Sequence, residues 1–302
     1  MQILITGGTG FIGSELIKHL ITHKIVLLTR SPAKAKQSLQ FADNGNIQYL
    51  STLDELHDLN HFDAVINLAG EPIAGKRWTQ GQKKKICDSR WKTTEKLVDL
   101  FHASTKPPAT FISGSAVGIY GDQQEHPFDE SLHTYHEGFT HQTCSIWESI
   151  AKKAEHDDTR VCLLRTGIVL GKNGALKMML PAFKVGFGSI LGNGKQYMPW
   201  IHIQDMVKGI IYLLETPHAK GEFNFCAPHP VSNYEFSKTL GKVLKKPVFL
   251  YTPKWCFNLA MGEASCLLFD SIRAKPKHLT ELGFNFTYSR LEPALKNIMD
   301  HN

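Results

Sequence analysis

Residues 6–13 read TGGTGFIG and follow directly on the apolar run MQILI. Gly7, Gly10 and Gly13 form the pattern G-x-x-G-x-x-G, and the residues from Phe11 to Leu20 place apolar side chains at helical spacing. The first glycine permits a tight turn, the second lets a phosphate approach the backbone, and the third lets the helix pack on the strand. The N-terminus of the helix offers free N–H groups and a partial positive charge to a pyrophosphate. The stretch therefore predicts a strand–turn–helix unit that binds a dinucleotide.

Further apolar runs follow the glycine turn, and helical patterns separate them. The runs lie at 25–29, 63–69, 109–114 and 160–165, and the clearest helical patterns lie at 80–103 and 142–156. Strands that alternate with helices form βαβ units, in which helices cover both faces of a parallel sheet. The predicted fold class is α/β, with a Rossmann-like doubly wound parallel sheet.

The character of the sequence changes after residue 170. Glycine and proline recur there, and the short elements no longer alternate as βαβ units. We predict an NADP-binding domain over 1–170 and a smaller C-terminal substrate lobe over 171–302, with strands that can cross between them. Such a lobe would lie over the carboxyl ends of the strands, where sheets of this kind bind ligands.

The composition suits a compact protein with a large core, because 42% of the 302 residues are hydrophobic. The net charge of +6 is modest, and the run KKK at 83–85 is typical of a solvated helix face rather than of a nucleic-acid site. No leader pattern and no bilayer-spanning run is seen. We therefore expect a cytoplasmic protein without nucleic-acid or membrane partners. For its assembly we consider a homodimer.

The six cysteines form no C-x-x-C pair, so neither a zinc site nor a disulfide framework is predicted. Several lie within apolar runs, where a cysteine usually acts as a small buried hydrophobe. We expect no metal site.

The end of the second predicted strand indicates the cofactor. An NAD site usually has an acidic residue there to bind the ribose hydroxyls, whereas this chain has Thr29 and Arg30. Arg30 can pair with a 2′-phosphate, and Lys34 and Lys36 add positive charge nearby. The alternative is a solvated surface arginine. We predict NADP in preference to NAD.

Several stretches together resemble the extended short-chain dehydrogenases. They are TGGTGFIG, NLAGEPI at 67–73, SGSAVGIYG at 113–121, LRTGIVLG at 164–171 and PWIHIQDM at 199–206. With the SRW of the long helix, a WE pair and the tail that begins GEASCLLFDS, the chain is more narrowly similar to the atypical "epimerase family" branch of NADP-binding proteins. The resemblance runs from about residue 1 to residue 298.

This resemblance implies a path for the cofactor along the edge of the sheet. The pyrophosphate would face Thr9, Gly10, Phe11 and Ile12, and the adenosine phosphate would face Thr29 and Arg30. The remaining cofactor contacts that it implies are Leu68, Ala69, Gly70 and Arg90.

The family's usual proton-relay pair, Tyr-x-x-x-Lys, is missing. In that pair the lysine lowers the pKa of the tyrosine, which then exchanges a proton with the substrate. When the alignment is anchored on Glu148, Thr140 stands at the tyrosine position and Cys144 at the lysine position. We interpret Cys144 as a cofactor contact and Ser115 as the remaining catalytic candidate. The pair Tyr234 and Lys238 has the spacing by coincidence.

Four other side chains could substitute for the missing proton donor, although packing is the more common role for each of them. They are Tyr120, Tyr135, His141 and His202.

Two functions fit these observations. The first is an NADP(H)-dependent oxidoreductase or epimerase that acts on an unknown small carbonyl or sugar-like substrate without the Tyr–Lys pair. The second is a non-catalytic NADP(H)-binding redox sensor or regulator. We favour the enzyme, chiefly because of the family resemblance.

Overall fold

The computed structural model describes residues 1–39 and 45–300. Its strands, in chain order, are β1 Gln2–Thr6, β2 Lys24–Leu28, β3 Ile47–Leu50, β4 Ala64–Asn67, β5 Thr110–Ala116, β6 Arg160–Thr166, β7 Ile168–Leu170, β8 Ser189–Leu191, β9 Tyr197–Met198, β10 Trp200–His202, β11 Gly221–Phe225, β12 Val231–Ser232 and β13 Leu250–Thr252. Its α-helices are α1 Phe11–His19, α2 Pro32–Ser38, α3 Gln80–Ala103, α4 Phe139–Lys152, α5 Ala175–Lys184, α6 Ile203–Glu215, α7 Asn233–Leu244, α8 Lys254–Met261, α9 Cys266–Phe269, α10 Lys277–Glu281 and α11 Leu291–Asp300.

The central sheet is parallel throughout and has the order β11-β6-β5-β4-β1-β2-β3. Its strands are apolar on both sides because helices cover both faces. In β1, Ile3 and Ile5 pack with the residues of α1 and α6, whereas Leu4 packs with those of α3 and α4. This arrangement is the doubly wound Rossmann-like fold that the sequence predicts.

The second half of the chain contributes to this sheet as well as to its own small core. Strand β11 pairs with β6, and α6 packs on the central sheet. The short pairs β7–β10, β9–β12 and β8–β13 lie outside the sheet. A separate core, centred on Trp200 and Phe236, joins α5, α7 and α11. The boundary at residue 170 stays a prediction, and β11 is a strand that crosses it.

Several boundaries predicted from sequence differ from the observed ones, most of the strand ends by one or two residues. The long helix α3 spans Gln80–Ala103 as predicted, whereas α4 covers Phe139–Lys152 instead of 142–156. The four-residue strand β3 was not predicted. Residues 221–225 follow the predicted boundary at residue 170, yet they form an edge strand of the central sheet.

Among residues 1–39 and 45–300, no helix combines the length and the apolarity that crossing a bilayer requires. The same residues contain no cluster of three or more His, Cys, Asp or Glu side chains that could hold a metal ion. All six cysteines are free thiols, and four of them are buried.

Candidate functional site

The glycine turn lies between β1 and α1, at the carboxyl edge of the sheet. Gly7 adopts a φ of +69°, in the left-handed region that favours glycine. A Cβ on Gly7 would lie 2.4 Å from the carbonyl oxygen of Leu68, and a Cβ on Gly13 would lie 2.4 Å from the carbonyl oxygen of Gly7. Two of the three glycines are therefore required by close packing of the backbone.

Gly10 is different, because it is exposed and its missing side chain leaves open space. A Cβ there would meet only the carbonyl oxygen of Gly7, at 3.1 Å. Gly10 is also the N-cap of α1, where no side chain caps the helix and no acidic residue lies in the first turn. The N–H groups at this helix end are thus available to an anion. Thr9 is exposed beside it, with Phe11 and Ile12 half-buried.

The residues after β4 run alongside the turn. Thr6 donates a hydrogen bond to Asn67 (2.6 Å) and accepts one from the backbone N–H of Ala69 (3.2 Å). These bonds fix Leu68 and Ala69 next to Gly7. The structure therefore brings together the predicted pyrophosphate and ribose contacts.

Arg30 lies at the end of β2, where the sequence predicts the contact with the adenosine phosphate. It is exposed after β2, beside the half-buried Thr29. The pKa of Glu71 is lowered by hydrogen bonds from Lys76 and Gln82, and the charge of Arg30 adds a smaller effect. Arg30 is thus within electrostatic reach of the segment after β4, where a dinucleotide on this edge would lie.

Arg90 reaches the same segment from α3. Its Nη1 donates to the backbone oxygens of Glu71 and Ile86, both at 3.0 Å, and its guanidinium lies 5.3 Å from the ring centroid of Trp147. A Cβ on Gly70 would meet the Arg90 guanidinium at 3.0–3.3 Å. Asp88 and Glu95, which lie on the same helix, are not its hydrogen-bond partners.

A network of neutral hydrogen bonds holds Trp147 beneath Arg90. The indole of Trp147 donates to the hydroxyl of Thr94 (2.9 Å), which also accepts from Asn67 (2.8 Å). Thr94 in turn donates to the backbone oxygen of Arg90 (2.7 Å). Because these groups are buried and paired, they fix α3 and α4 against the end of β4.

Ser115 is buried at the end of β5, and its hydroxyl donates to Oε1 of Glu148 at 2.6 Å. Arg165 binds the same carboxylate through two bonds of 2.9 Å, from Nε to Oε1 and from Nη2 to Oε2. The side chains of Arg165 and Glu148 are each only 5% exposed. Ser115 therefore gives its only hydrogen to a buried, paired carboxylate, and its oxygen can accept but not donate a further hydrogen bond.

Tyr120 extends this buried network instead of facing a substrate. Its hydroxyl accepts a hydrogen bond from Arg165 and donates one to Asn224, both at 2.9 Å. Burial raises the pKa of Tyr120, and the charge of Arg165 opposes this only in part. Asn224 lies on β11, so the network spans three neighbouring strands of the sheet.

Cys144 and Thr140 lie on the buried side of α4. Burial raises the pKa of the Cys144 thiol to about 12, and the charge of Glu148 raises it further, against the opposing effects of Arg90 and Ser115. Cys144 is thus protonated at neutral pH and lies close to Ser115. Thr140 packs against Gly118. Neither residue presents an acid–base group to the edge of the sheet.

The remaining candidates are occupied elsewhere. His141 bonds to the backbone oxygen of Ile119 and stacks on Tyr135, and His202 caps α6 by accepting from the N–H of Gln204. Tyr234 is 46% exposed on α7, in the second lobe. These contacts agree with the packing and surface roles expected from sequence.

The contact between Glu148 and Arg165 is not predicted from the sequence, in which Glu148 serves only to anchor the alignment. The sequence feature that indicates such a contact is the arginine at the end of the otherwise apolar strand RVCLLR. An arginine within a buried strand requires an anionic partner. The identity of that partner depends on how α4 packs on β6.

The parallel sheet, the glycine turn and the uncapped helix end define a Rossmann-type α/β protein of the kind that binds nicotinamide dinucleotides. The chain belongs to the NAD-dependent epimerase/dehydratase family, whose model matches residues 3–226. A second model, a domain of unknown function (DUF1731), matches residues 252–298. The family resemblance inferred from the motifs is confirmed.

Relatives match along almost the whole chain. The epimerase family protein YfhF of Bacillus subtilis is 36% identical over 305 residues, which cover 99% of this chain and 98% of YfhF. The chloroplastic SDR39U1 homolog of Arabidopsis thaliana is 38% identical, over 99% of this chain and 87% of its own length.

Solved structures confirm the fold. Human epimerase family protein SDR39U1 (isoform 2), crystallised with NADPH, superposes with a TM-score of 0.89 at 30% identity, over 100% of both chains. UDP-glucuronic acid 4-epimerase from Bacillus cereus, in complex with UDP-glucuronic acid and NAD, gives a TM-score of 0.75 at 21% identity, over 100% of this chain and 98% of the epimerase. At that identity the second likeness concerns the fold alone.

Proposed function

We propose that this chain is an NADP(H)-dependent oxidoreductase or epimerase that acts on a small carbonyl or sugar-like substrate. The observation that carries the proposal is the open, uncapped N-terminus of α1 at Gly10, with Arg30 at the far end of the same edge. The NADPH in the human SDR39U1 structure supports the choice of cofactor.

Each predicted contact would act on a different part of the cofactor. The N–H groups beside Gly10 would bind the pyrophosphate, and Arg30 would pair with the 2′-phosphate. Arg90, close to Gly70, would place a positive charge beside the middle of the dinucleotide. The bound nicotinamide would supply hydride exchange.

Ser115 would act on the substrate in a way that its hydrogen bond to Glu148 restricts. Because the hydroxyl hydrogen is given to the carboxylate, the serine oxygen would accept a hydrogen bond from a substrate hydroxyl. This role differs from orientation of a carbonyl group, which needs a donor. It favours a substrate that enters in the alcohol form.

A second function is favoured by a specific observation. The hydroxyl of Ser115 donates its hydrogen to Glu148, burial raises the pKa of Cys144 to about 12, and Thr140 is buried. A chain that binds NADP(H) without a free proton donor would serve as a redox sensor or regulator. We keep the enzyme as the principal proposal chiefly because of the epimerase/dehydratase family to which the chain belongs. The cytoplasm and a homodimer are the compartment and the assembly that we expect from the sequence.

The cofactor preference can be tested by calorimetry with NADPH and NADH. A charge-assisted pair contributes about 1.5–3 kcal/mol, so NADPH should bind about 10- to 100-fold more tightly than NADH. Arg30→Ala should remove this preference, whereas Lys106→Ala, an exposed lysine elsewhere, should leave it unchanged. Equal dissociation constants in the wild-type protein would refute the assignment.

Turnover should be measured separately, as NADPH consumption with aldehydes and ketones and as NADP⁺ reduction with alcohols and nucleotide sugars. Ser115→Ala should remove most of any turnover while NADPH affinity is retained. Tight NADPH binding without turnover on the whole panel would instead support the sensor.

A further inference from the structure

Positive charge is concentrated in one part of the second lobe. The segments 171–204 and 236–262 contain nine lysines and no aspartate or glutamate. Because the whole chain has a net charge of +6, the rest of the chain is net negative. The charge is therefore asymmetric, and its positive side coincides with α5, α7, α8 and the ribbon formed by β8 and β13.

Large apolar side chains are exposed in the same segments. The most exposed are Leu259 (74%), Phe187 (71%), Val185 (67%), Phe249 (66%) and Trp255 (66%). In a globular protein such side chains are usually scattered singly, and a group of them marks an interaction site.

The pairing of β8 with β13 brings two of these side chains, Phe187 and Phe249, to one place. Ser189 pairs with Leu250, so Phe187 and Phe249 lie at the same end of the ribbon. Lys184, Lys245 and Lys246 precede these two aromatic residues in the chain and are exposed.

Helix α8 continues the surface directly after the ribbon. Trp255 and Leu259 are one helical turn apart and lie on one face, and α8 contains no buried residue. Lys254 is exposed at the start of the helix. We call the exposed residues of 184–187, 245–251 and 254–259 the ribbon surface.

The lysines of the ribbon surface form no close ion pairs, although Lys254 lies over the ring of Phe269 and its charge acts on Asp270. In the part of the chain that the structure describes, no ion pair joins Lys184, Lys245, Lys246 or Lys254 to an acidic side chain. A second copy of this chain on the same face would place lysine against lysine, which is unfavourable. The complementary partner carries negative charge and accepts apolar side chains.

We propose that the ribbon surface binds the surface of an anionic phospholipid bilayer. Aromatic side chains enter the headgroup region, apolar side chains reach the acyl boundary, and each lysine near the surface adds about 1 kcal/mol of attraction, or about fivefold in affinity. Such peripheral contact needs no membrane-spanning helix. The proposal departs from the expectation from sequence that no membrane takes part, which stays a prediction, and it does not depend on catalysis.

The test is co-sedimentation of the full chain with vesicles of phosphatidylcholine alone or with one-third phosphatidylglycerol. Binding to the anionic vesicles only, reversed by high salt, is expected. The emission should shift to the blue on binding through Trp255, because Trp78, Trp147 and Trp200 are already buried. The fifth tryptophan, Trp91, is half-buried with its indole bonded to the backbone oxygen of Thr143, so the measurement uses a Trp91→Phe background.

Two pairs of substitutions separate the contributions. Trp255→Ser with Leu259→Ser should abolish binding, and Lys245→Gln with Lys246→Gln should weaken it about thirtyfold. The control, Lys85→Gln with Lys106→Gln, removes two exposed lysines elsewhere and should bind normally. All variants should keep the wild-type circular dichroism spectrum, and the lysine pair remains informative if the apolar pair misfolds.

Four results would overturn the proposal. The first is equal binding to neutral and anionic vesicles, and the second is an equal loss of binding in the control pair. The third is a wild-type dimer that Trp255→Ser with Leu259→Ser converts to a monomer, which would show that a second copy covers this face. Failure of the wild-type protein to bind any vesicle, even if it captures an acidic protein, would also reject a lipid partner.

Discussion

Replacing Glu148 with glutamine should destabilise the protein far more than the similar size of the two side chains suggests. The glutamate accepts three hydrogen bonds, one from Ser115 and two from Arg165, and it is almost fully buried. The glutamine amide would direct N–H groups at donors and would leave the Arg165 charge without a counter-charge. Burial alone would lower the pKa of Arg165, and in the wild type the hydrogen bonds and charge of Glu148 outweigh this effect. Because an arginine stays charged in proteins even without its partner, the variant's core would hold an unpaired positive charge.

Breaking a buried ion pair by removing one partner costs about 3–5 kcal/mol. At about 2.1 cal/mol/K of unfolding entropy per residue, a chain of 302 residues loses about 5–8 °C in Tm for that change. Chemical denaturation followed by circular dichroism measures the free energy of unfolding, and calorimetry measures the Tm.

A second substitution tests the reason for the loss. Arg165→Met alone should cost a similar amount, because it leaves the carboxylate without its partner. Glu148→Gln combined with Arg165→Met should recover most of the loss and remain within about 2 kcal/mol of the wild type, since no unpaired charge is left. Asp88→Asn, which removes an exposed helical ion pair with Lys84 and Lys92, should leave the denaturation midpoint unchanged. If the two single losses simply add in the double variant, the pair does not act as we describe.

Three further predictions concern the glycine turn, a buried histidine and a buried thiol. Gly10→Val should abolish NADPH binding with little change in Tm. Gly13→Ala should lower the Tm, because its Cβ would lie 2.4 Å from the oxygen of Gly7. Normal NADPH binding by both variants in calorimetry would contradict the role given to the glycine turn. Burial lowers the pKa of His202 to about 4, below its unfolded value of 6.5, so the folded state resists protonation and the free energy of unfolding should fall by about 2–3 kcal/mol between pH 6.5 and pH 4. Replacing His202 with Asn, which keeps the helix cap, should remove that part of the pH dependence, and identical denaturation curves for both proteins over this range would disprove the assignment. Cys144 should resist iodoacetamide at pH 8 in the native protein and react after unfolding, and mass spectrometry that finds native labelling at this position would contradict its raised pKa.

The parts of the fold that sequence predicted correctly are those fixed by local constraints. The glycine turn could be predicted because Gly7 and Gly13 are required by backbone contacts within one βαβ unit. The long helix α3 was predicted to the residue because its pattern extends over 24 residues. Short elements such as β3 contain too few residues for the periodic spacing of apolar side chains to be detected.

Pairings between distant residues could not be predicted in the same way. Strand β11 begins 61 residues after the start of β6, and the second core joins residues that precede β11 to residues of α7 and α11 that follow it. The bond from Ser115 to Glu148 depends on the angle at which α4 packs against the sheet, which no local pattern encodes. The positions proposed to bind the cofactor lie along one edge of the sheet, and their roles stay predictions.

The position of β11 bears on how the chain can fold and how it can be divided. During synthesis the sheet remains incomplete until residue 225 has left the ribosome, and until then β6 is an edge strand with unpaired backbone groups. A fragment that ends at residue 170 would keep that open edge and would lose Asn224, the partner of Tyr120. Pairing of β11 with β6 is therefore a late, long-range event that makes the two halves of the chain a single cooperative unit.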